Sequence, residues 1–373
     1  MTTAAASSTA TPSPLLGTPG AVATPDELPD AGVGWHYGDP FVEQRAATRS
    51  VAVVDRSNRD VLAVPGADRW TWLHTLTSQH LSEFAAGLGT EALILDANGH
   101  VEQHLVIGQS ADTAWLDTEP GKGSGLLTYL EAMRFWSEVE PRDATPELAV
   151  LTVLGPDTAT LLGDLGVTVP TTAYGLADSD LGLLRRMPWP RPDAVDLLVP
   201  RDRLAEVWQR LTAAGAHPAG SWAFEALRIE SLRPRLGVDT DERTIPNEVN
   251  WIGSAVHLDK GCYRGQETVA KVHNIGRPPR RLVLLHLDGS GNELPLTGES
   301  VALGDRVVGR VGTVAQHHEL GPVALALVKR SVPVDAELVA GADDHQVQAA
   351  VDPDSVPAEG LAPGREAASK LRG

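Results

Sequence analysis

The stretch DKGCYRGQE, Asp259 to Glu267, packs the chain's single cysteine, two cations, two glycines and a Gln266–Glu267 pair into nine residues. Cys262 lies between Lys260 and Arg264, and neighbouring positive charge favours thiolate over thiol. Gly261 and Gly265 flank it, and glycine permits sharp turns and close backbone approach to a ligand. A lone cysteine is most often just a small buried side chain. The charged, glycine-rich company here points instead to a cysteine made nucleophilic or able to bind metal, with Lys260, Tyr263, Arg264, Gln266 and Glu267 around it. Between Lys260 and Arg281 six cations face one acid, Glu267, a local +5 in a chain of net charge −18. That concentration predicts an anion site, because the arginine fork pairs carboxylates in bidentate fashion. The competing reading is that these cations pair with acids brought from elsewhere in the fold.

On either side lie IPNEVNW (Ile245 to Trp251) and RPPRRLVLLHLDG (Arg277 to Gly289). With KGCYRGQE they resemble the YgfZ family of folate-binding proteins, relatives of the glycine cleavage T-protein, over Val33 to Val339. The resemblance implies an α+β fold with two pseudo-repeated T-protein-like subdomains and a small C-terminal β-barrel around a central folate channel. It also implies tetrahydrofolate as cofactor, no bound metal in the isolated chain, and an accessory role in iron–sulfur cluster assembly or repair. Iron–sulfur client or carrier proteins would be its partners, and the cytoplasm its location. One cysteine cannot by itself hold such a cluster, which takes several thiolates, so cluster chemistry would occur on a partner or across a dimer.

Carried over position by position, the resemblance places Asp196 where T-proteins have a glutamate that grips the pterin. It places Arg228, on the helix EALRIE, where an arginine meets the folate's carboxylate end; a helical pair with Glu225 competes for that role. Trp251 would line the channel, with Gly261 and Gly265 close to the ligand. One departure matters. T-proteins carry paired aspartates in the hairpin at EALILDANGHVEQHLVI, whereas Gln103 and His104 stand at those positions here, and glutamine cannot serve as a carboxylate base. Aminomethyl transfer is therefore not expected. A folate-dependent one-carbon transferase or demethylase remains an alternative, as does a folate-gated binding module without chemistry.

The remainder is read from pattern. VLAVPGADRWTWLHTL (Val61 to Leu76) and LTVLGPDTATLLGDL (Leu151 to Leu165) share one plan, a β-branched strand, Gly-x-Asp and a helix, and so predict an internal pseudo-repeat. Asn98-Gly99 predicts a type I′ hairpin turn. AVDLLVP predicts a strand, SWAFEALRIESL a helix capped by Ser221, and the short Gly- and Pro-punctuated runs after Pro279 a small barrel. PGKGSG (Pro120 to Gly125) is expected to open a helix. The boundaries that follow are a disordered tail over 1–32, subdomains over 33–145 and 146–277, the barrel over 278–351, and a second disordered tail over 352–373. The acidity argues against nucleic acid or anionic membrane as partner. No run reaches the length of a membrane span.

Overall fold

The computed structural model describes residues 12–82, 84–274, 276–291 and 293–356. Contacts divide the chain into two compact units. The first comprises residues up to Arg69, Ala85–Gly89 and Val106–Phe224; the second comprises Trp70–Phe84, Thr90–Leu105 and the chain from Glu225 onward.

The first unit is organised on a six-stranded sheet. Its spatial order is Leu176–Ser179, Gly182–Met187, Ala194–Pro200, Leu148–Leu154, Ala52–Asp55 and His217–Ala219. The central strands Leu148–Leu154 and Ala194–Pro200 are near-continuous apolar runs because both their faces are covered, and all but one end residue of each is buried. The helix Leu204–Ala213 sets Leu204, Val207, Trp208 and Leu211 at helical spacing and buries all four in the core that contains Val153, Leu161, Leu184 and Val195. Elsewhere in this unit the strand Asp60–Pro65 pairs antiparallel with Thr113–Thr118 on one side and Arg142–Asp143 on the other.

The pseudo-repeat has a geometric counterpart. Gly66 ends its strand at φ +128 and Gly155 ends the equivalent strand at φ +126. A Cβ would lie 2.1 Å from Glu138 O at the first and 2.3 Å from Ser50 O at the second, so neither turn admits a side chain. The helices Arg69–Leu76 and Thr158–Asp164 follow them.

In the second unit six strands close into a barrel, in order Arg280–Leu287, Gly321–Lys329, Arg306–His317, Ser300–Leu303, Glu337–Ala340 and Val347–Val351, and Val351 beside Leu285 completes the ring. Closure leaves no free sheet edge. Val283, Leu285, Val311, Ala326, Val328 and Leu338 pack together as one of its cores.

Four local expectations are corrected. Residues 13–36 carry order where a tail was expected: Pro14–Gly17 is a 3-10 turn capped by Ser13, Leu15 is buried in the first core, and Val22–Ala23 pairs with Gly34–His36. Composition hid this because scattered residues, Leu15, Ala21 and Val33, and not a periodic stripe, anchor the segment. Pro353–Ser355 likewise forms a capped 3-10 turn inside the expected C-terminal tail, while the rest of both tails lies outside the described residues. The hairpin turn is not type I′, since Gly99 (φ +86) has positive φ and Asn98 does not; the Gly99 N–H closes it onto Asp96 O at 3.1 Å. Asp96 stabilises this shape by accepting from the Asn98 and His100 amides at 2.8 Å each. Ser221 begins its helix, but its hydroxyl meets that of Thr24 at 3.0 Å.

Candidate functional site

Two constellations carry chemistry, one in each unit. In the first, sheet register sets Arg185 opposite Asp196 and Asp196 opposite Thr152. Three polar side chains thus stand abreast on strands that are otherwise apolar. Asp196, 1% exposed, accepts from Thr152 Oγ1 at 2.7 Å and from Arg185 Nη2 at 2.9 Å, with Arg56 Nη1 at 3.4 Å. Arg185 also donates to Asp117 Oδ1 at 2.6 Å. Arg59 donates to Asp117 Oδ2 at 2.8 Å and to Glu119 Oε1 at 3.0 Å. Three guanidinium groups therefore face three carboxylates in the interior, a closed network in which each buried charge is answered. Burial would raise the Asp117 pKa, but Arg185 and Arg59 hold it below the usual range. Burial, reinforced by Arg59, brings Arg56 down to about 10. The Arg56 guanidinium lies 4.3 Å from the Phe224 ring and 5.8 Å from that of Trp189, within cation–π range.

The second constellation is the signature loop. Lys260 is only 4% exposed, and its ammonium donates to the carbonyls of His74, Thr77 (2.6 Å) and Gln79 (3.2 Å) at and beyond the C-terminal end of the helix Arg69–Leu76. A cation there answers carbonyls that lack helical partners. Burial lowers the Lys260 pKa to about 8. Arg264 pairs with Glu102 at 3.1 Å near the surface. The cations expected to activate Cys262 are thus both engaged elsewhere, a correction whose reason is the demand of exposed carbonyls and of Glu102 for counter-charge. Cys262 itself is a free, exposed thiol. Tyr263 is buried in a core with Leu93, Val101 and Val269, and burial pushes its hydroxyl up to about 12. Gln266 begins the helix Gln266–Asn274 and donates to Lys260 O at 3.3 Å, and Glu267 is exposed in its first turn.

Gly265 has a different role from the expected one. At φ +81 its Cα faces the hairpin turn so closely that a Cβ would lie 2.6 Å from Asp96 O and 2.7 Å from Gly99 Cα. Two glycines seat the loop on the hairpin, so Gly265 serves backbone packing. Gly261 has open space around it.

Other expected ligand groups are consumed by the fold. Arg228 is 3% exposed, and its five N–H donors go to Glu225 (2.9 and 2.6 Å), Asp239 (2.8 Å), Arg233 O and Thr313 Oγ1. The pair with Glu225 prevails, leaving no fork for a ligand carboxylate. Trp251 is fully buried and stacks on His104 with ring centres 4.9 Å apart. Its indole N–H and Gln103 Oε1 are buried without a hydrogen-bond partner among the described residues. The basic segment is likewise answered: Arg280 joins Asp241 and Glu248, and Arg281 donates to Val332 O. Of the six cations, Arg264 and Arg280 are thus paired with carboxylates, and Lys260 and Arg281 are spent on backbone carbonyls. PGKGSG opens the helix Gly123–Ala132 as expected, and Asp60 accepts from the Gly123 N–H at 2.6 Å.

Sequence reasoning missed Glu91, Arg56, Arg59, Asp117 and Arg185. Glu91 is fully buried; burial would raise its pKa, yet Arg233 at 2.5 Å and His104 hold it well below the usual range. The signal was present in AWLDT and LLRRM, where a charge interrupting an apolar strand demands a buried partner. Glu102 and His104, two residues apart on the hairpin, also diverge: one is exposed, and the other is buried against Trp251.

The sheet-based unit and the unit with the closed barrel define a known class. The chain belongs to the GCVT N-terminal domain family, whose profile matches residues 39–260. It is 28% identical over 293 residues to an aminomethyltransferase of Nitrosococcus oceani, covering 74% of this chain and 77% of that one. It is 26% identical over 317 residues to an aminomethyltransferase of Thermotoga neapolitana, covering 80% and 85%. Among solved structures, glycine cleavage system aminomethyltransferase T from Bartonella henselae superposes with TM-score 0.79 at 17% identity, covering 92% of this chain and 96% of that one. The fold is that of the T-protein, with mixed α/β content and a closed six-stranded barrel. No helix among the described residues is long and apolar enough to cross a membrane.

Proposed function

We propose that this protein binds a reduced folate and serves iron–sulfur proteins through the Cys262 thiol, as the YgfZ resemblance implies, without performing aminomethyl transfer. The observation that carries the reading is an exposed thiol on a loop whose Gly265 is seated against the turn of the hairpin bearing Gln103 and His104. Those two residues stand where T-proteins have paired aspartates. The nearby carboxylates are committed, Asp96 to the turn, Glu102 to Arg264 and Glu91 to Arg233.

The donor set of the first constellation matches a pterin only in part. Asp196 fits in kind, because a carboxylate accepts from adjacent N–H donors, but its oxygens already accept from Thr152 and Arg185 and the Phe224 and Trp189 rings already face Arg56, so a pterin would have to displace Arg56. Its longest protein contact, Arg56 at 3.4 Å, is the one a ligand would replace. Arg228 does not fit, because its donors are all engaged.

Titration of the folded protein with tetrahydrofolate, followed by calorimetry, should give a saturable signal; no signal rejects the folate part. Cells relying on a Cys262→Ser variant should lose iron–sulfur enzyme activity under oxidative stress while the variant stays folded. Full rescue by serine rejects the thiol part and favours a binding module. The curated relatives named aminomethyltransferase favour a second reading, one-carbon transfer. A reconstituted assay with a lipoyl carrier protein is expected to stay at background, and robust turnover would establish that alternative.

A further inference from the structure

The helix Gly123–Ala132 ends in a loop that presents the largest exposed aromatic surface among the described residues. Phe135 is 72% exposed and Trp136 94% exposed, with their rings stacked 6.3 Å apart. Burying rings of this size is strongly favourable, so a matched pair held in solvent marks an interaction surface. The loop is fixed at its base. Glu140 N–H donates to Pro65 O at 3.0 Å, Glu138 N–H to Asp68 Oδ2 at 2.8 Å, and Gly66 leaves no room for a side chain beneath Glu138 O. Phe135 holds φ +44, a conformation costly to a bulky residue and kept only where the surroundings enforce it.

A cavity of about 350 Å³ is lined by the base of the same loop. Pro65, Gly66, Ala67 and Val139 form its apolar wall, and Arg134, Glu138 and Glu140 form the rest. Arg134 and Glu138 flank the Phe135–Ser137 tip in sequence and line the recess, so projection and recess belong to one loop. A projection and a recess on one loop are the two parts that an isologous contact would pair reciprocally across a two-fold axis. We propose that a second copy of this chain docks here, each copy setting Trp136 into the other's cavity, with Arg134 near the acids Glu138 and Glu140 across the axis. The four rings offer on the order of 600–1,000 Å² of surface to bury, the range of weak and transient interfaces. Each copy carries −18, so repulsion opposes association and added salt should strengthen it.

Sedimentation velocity on the full chain, over a concentration series at low and high salt, tests this. The wild type should show a concentration-dependent dimer that increases with salt. Trp136→Ala removes the projection and Ala67→Phe fills the recess, so each alone should be monomeric, with circular dichroism confirming the fold. An equimolar mixture of the two variants should partly recover association, because one ring-in-cavity contact survives in each mixed pair. A wild type that stays monomeric throughout overturns the proposal and leaves the surface to a different partner. A dimer unchanged in both variants also overturns it.

Discussion

The arginine–carboxylate cluster of the first unit and the signature loop of the second both gather charge around residues that chemistry would nominate, yet they end differently. In the cluster, Arg56, Arg59, Arg185, Asp117, Glu119 and Asp196 each have a counter-charge within 3.4 Å. In the loop, Lys260 and Arg264 are answered as well, but the thiol between them lies open to solvent. Residue type nominates candidates, and hydrogen-bond saturation decides which remain available for an outside partner. On that measure Arg228 and Lys260 are structural and Cys262 is available.

The contrast is most easily broken at Arg185. Arg185→Ala takes the guanidinium shared by Asp117 and Asp196 out of the interior, leaving Asp117 to Arg59 and Asp196 to Thr152 and Arg56. It should cost about 3–5 kcal/mol in chemical denaturation, as loss of one partner from a buried ion pair does. A cost under about 1 kcal/mol would mean that the cluster behaves like a surface pair. Next comes the loop's seat. Gly265→Ala forces a side chain into positive φ and onto the hairpin backbone, so unfolding free energy should fall by about 2–4 kcal/mol. An unchanged melting temperature would show the two glycines are not in firm contact.

A smaller effect separates half-exposed charge from buried charge. Burial would raise Asp241, but hydrogen bonds from Arg280 hold it at about 2, below its ordinary 3.8. A carboxylate depressed in the folded state contributes stability that is present above its unfolded pKa and lost as pH falls through the folded one. Stability should therefore drop by about 1 kcal/mol, discounted for solvent screening, between roughly pH 4 and pH 2. Arg280→Ala should flatten that limb, and an identical pH profile in the variant would assign it to other groups. The smallest effect is expected at Cys262, where serine should change stability by less than about 0.5 kcal/mol. A larger loss would make the cysteine structural and remove the contrast.

The fold was legible because its signals are local: the strand–Gly–helix units at Gly66 and Gly155, the helical spacing of Leu204 to Leu211, and the short runs of the barrel. The fate of polar side chains was not legible, because it depends on partners distant in sequence. Arg59 meets Asp117 and Arg185 meets Asp117 across chain separations that no window spans. Asp196 was visible as a carboxylate in an apolar strand, but its register against Arg185 and Thr152 was not. The same limit made the basic segment look like an anion site, when Asp241 and Glu248 were waiting for Arg280.

The three carbonyls that grip Lys260 and the glycine contact at Gly265 act as two piers, with Cys262 on the short span between them. A thiol carried on such a bridge has little reach of its own. Whatever exchanges sulfur, electrons or metal with it must deliver the reacting atom to that fixed point, so selectivity would rest on the visitor's shape, and lengthening the span by one residue should impair exchange while leaving the thiol as accessible to small alkylating reagents as before.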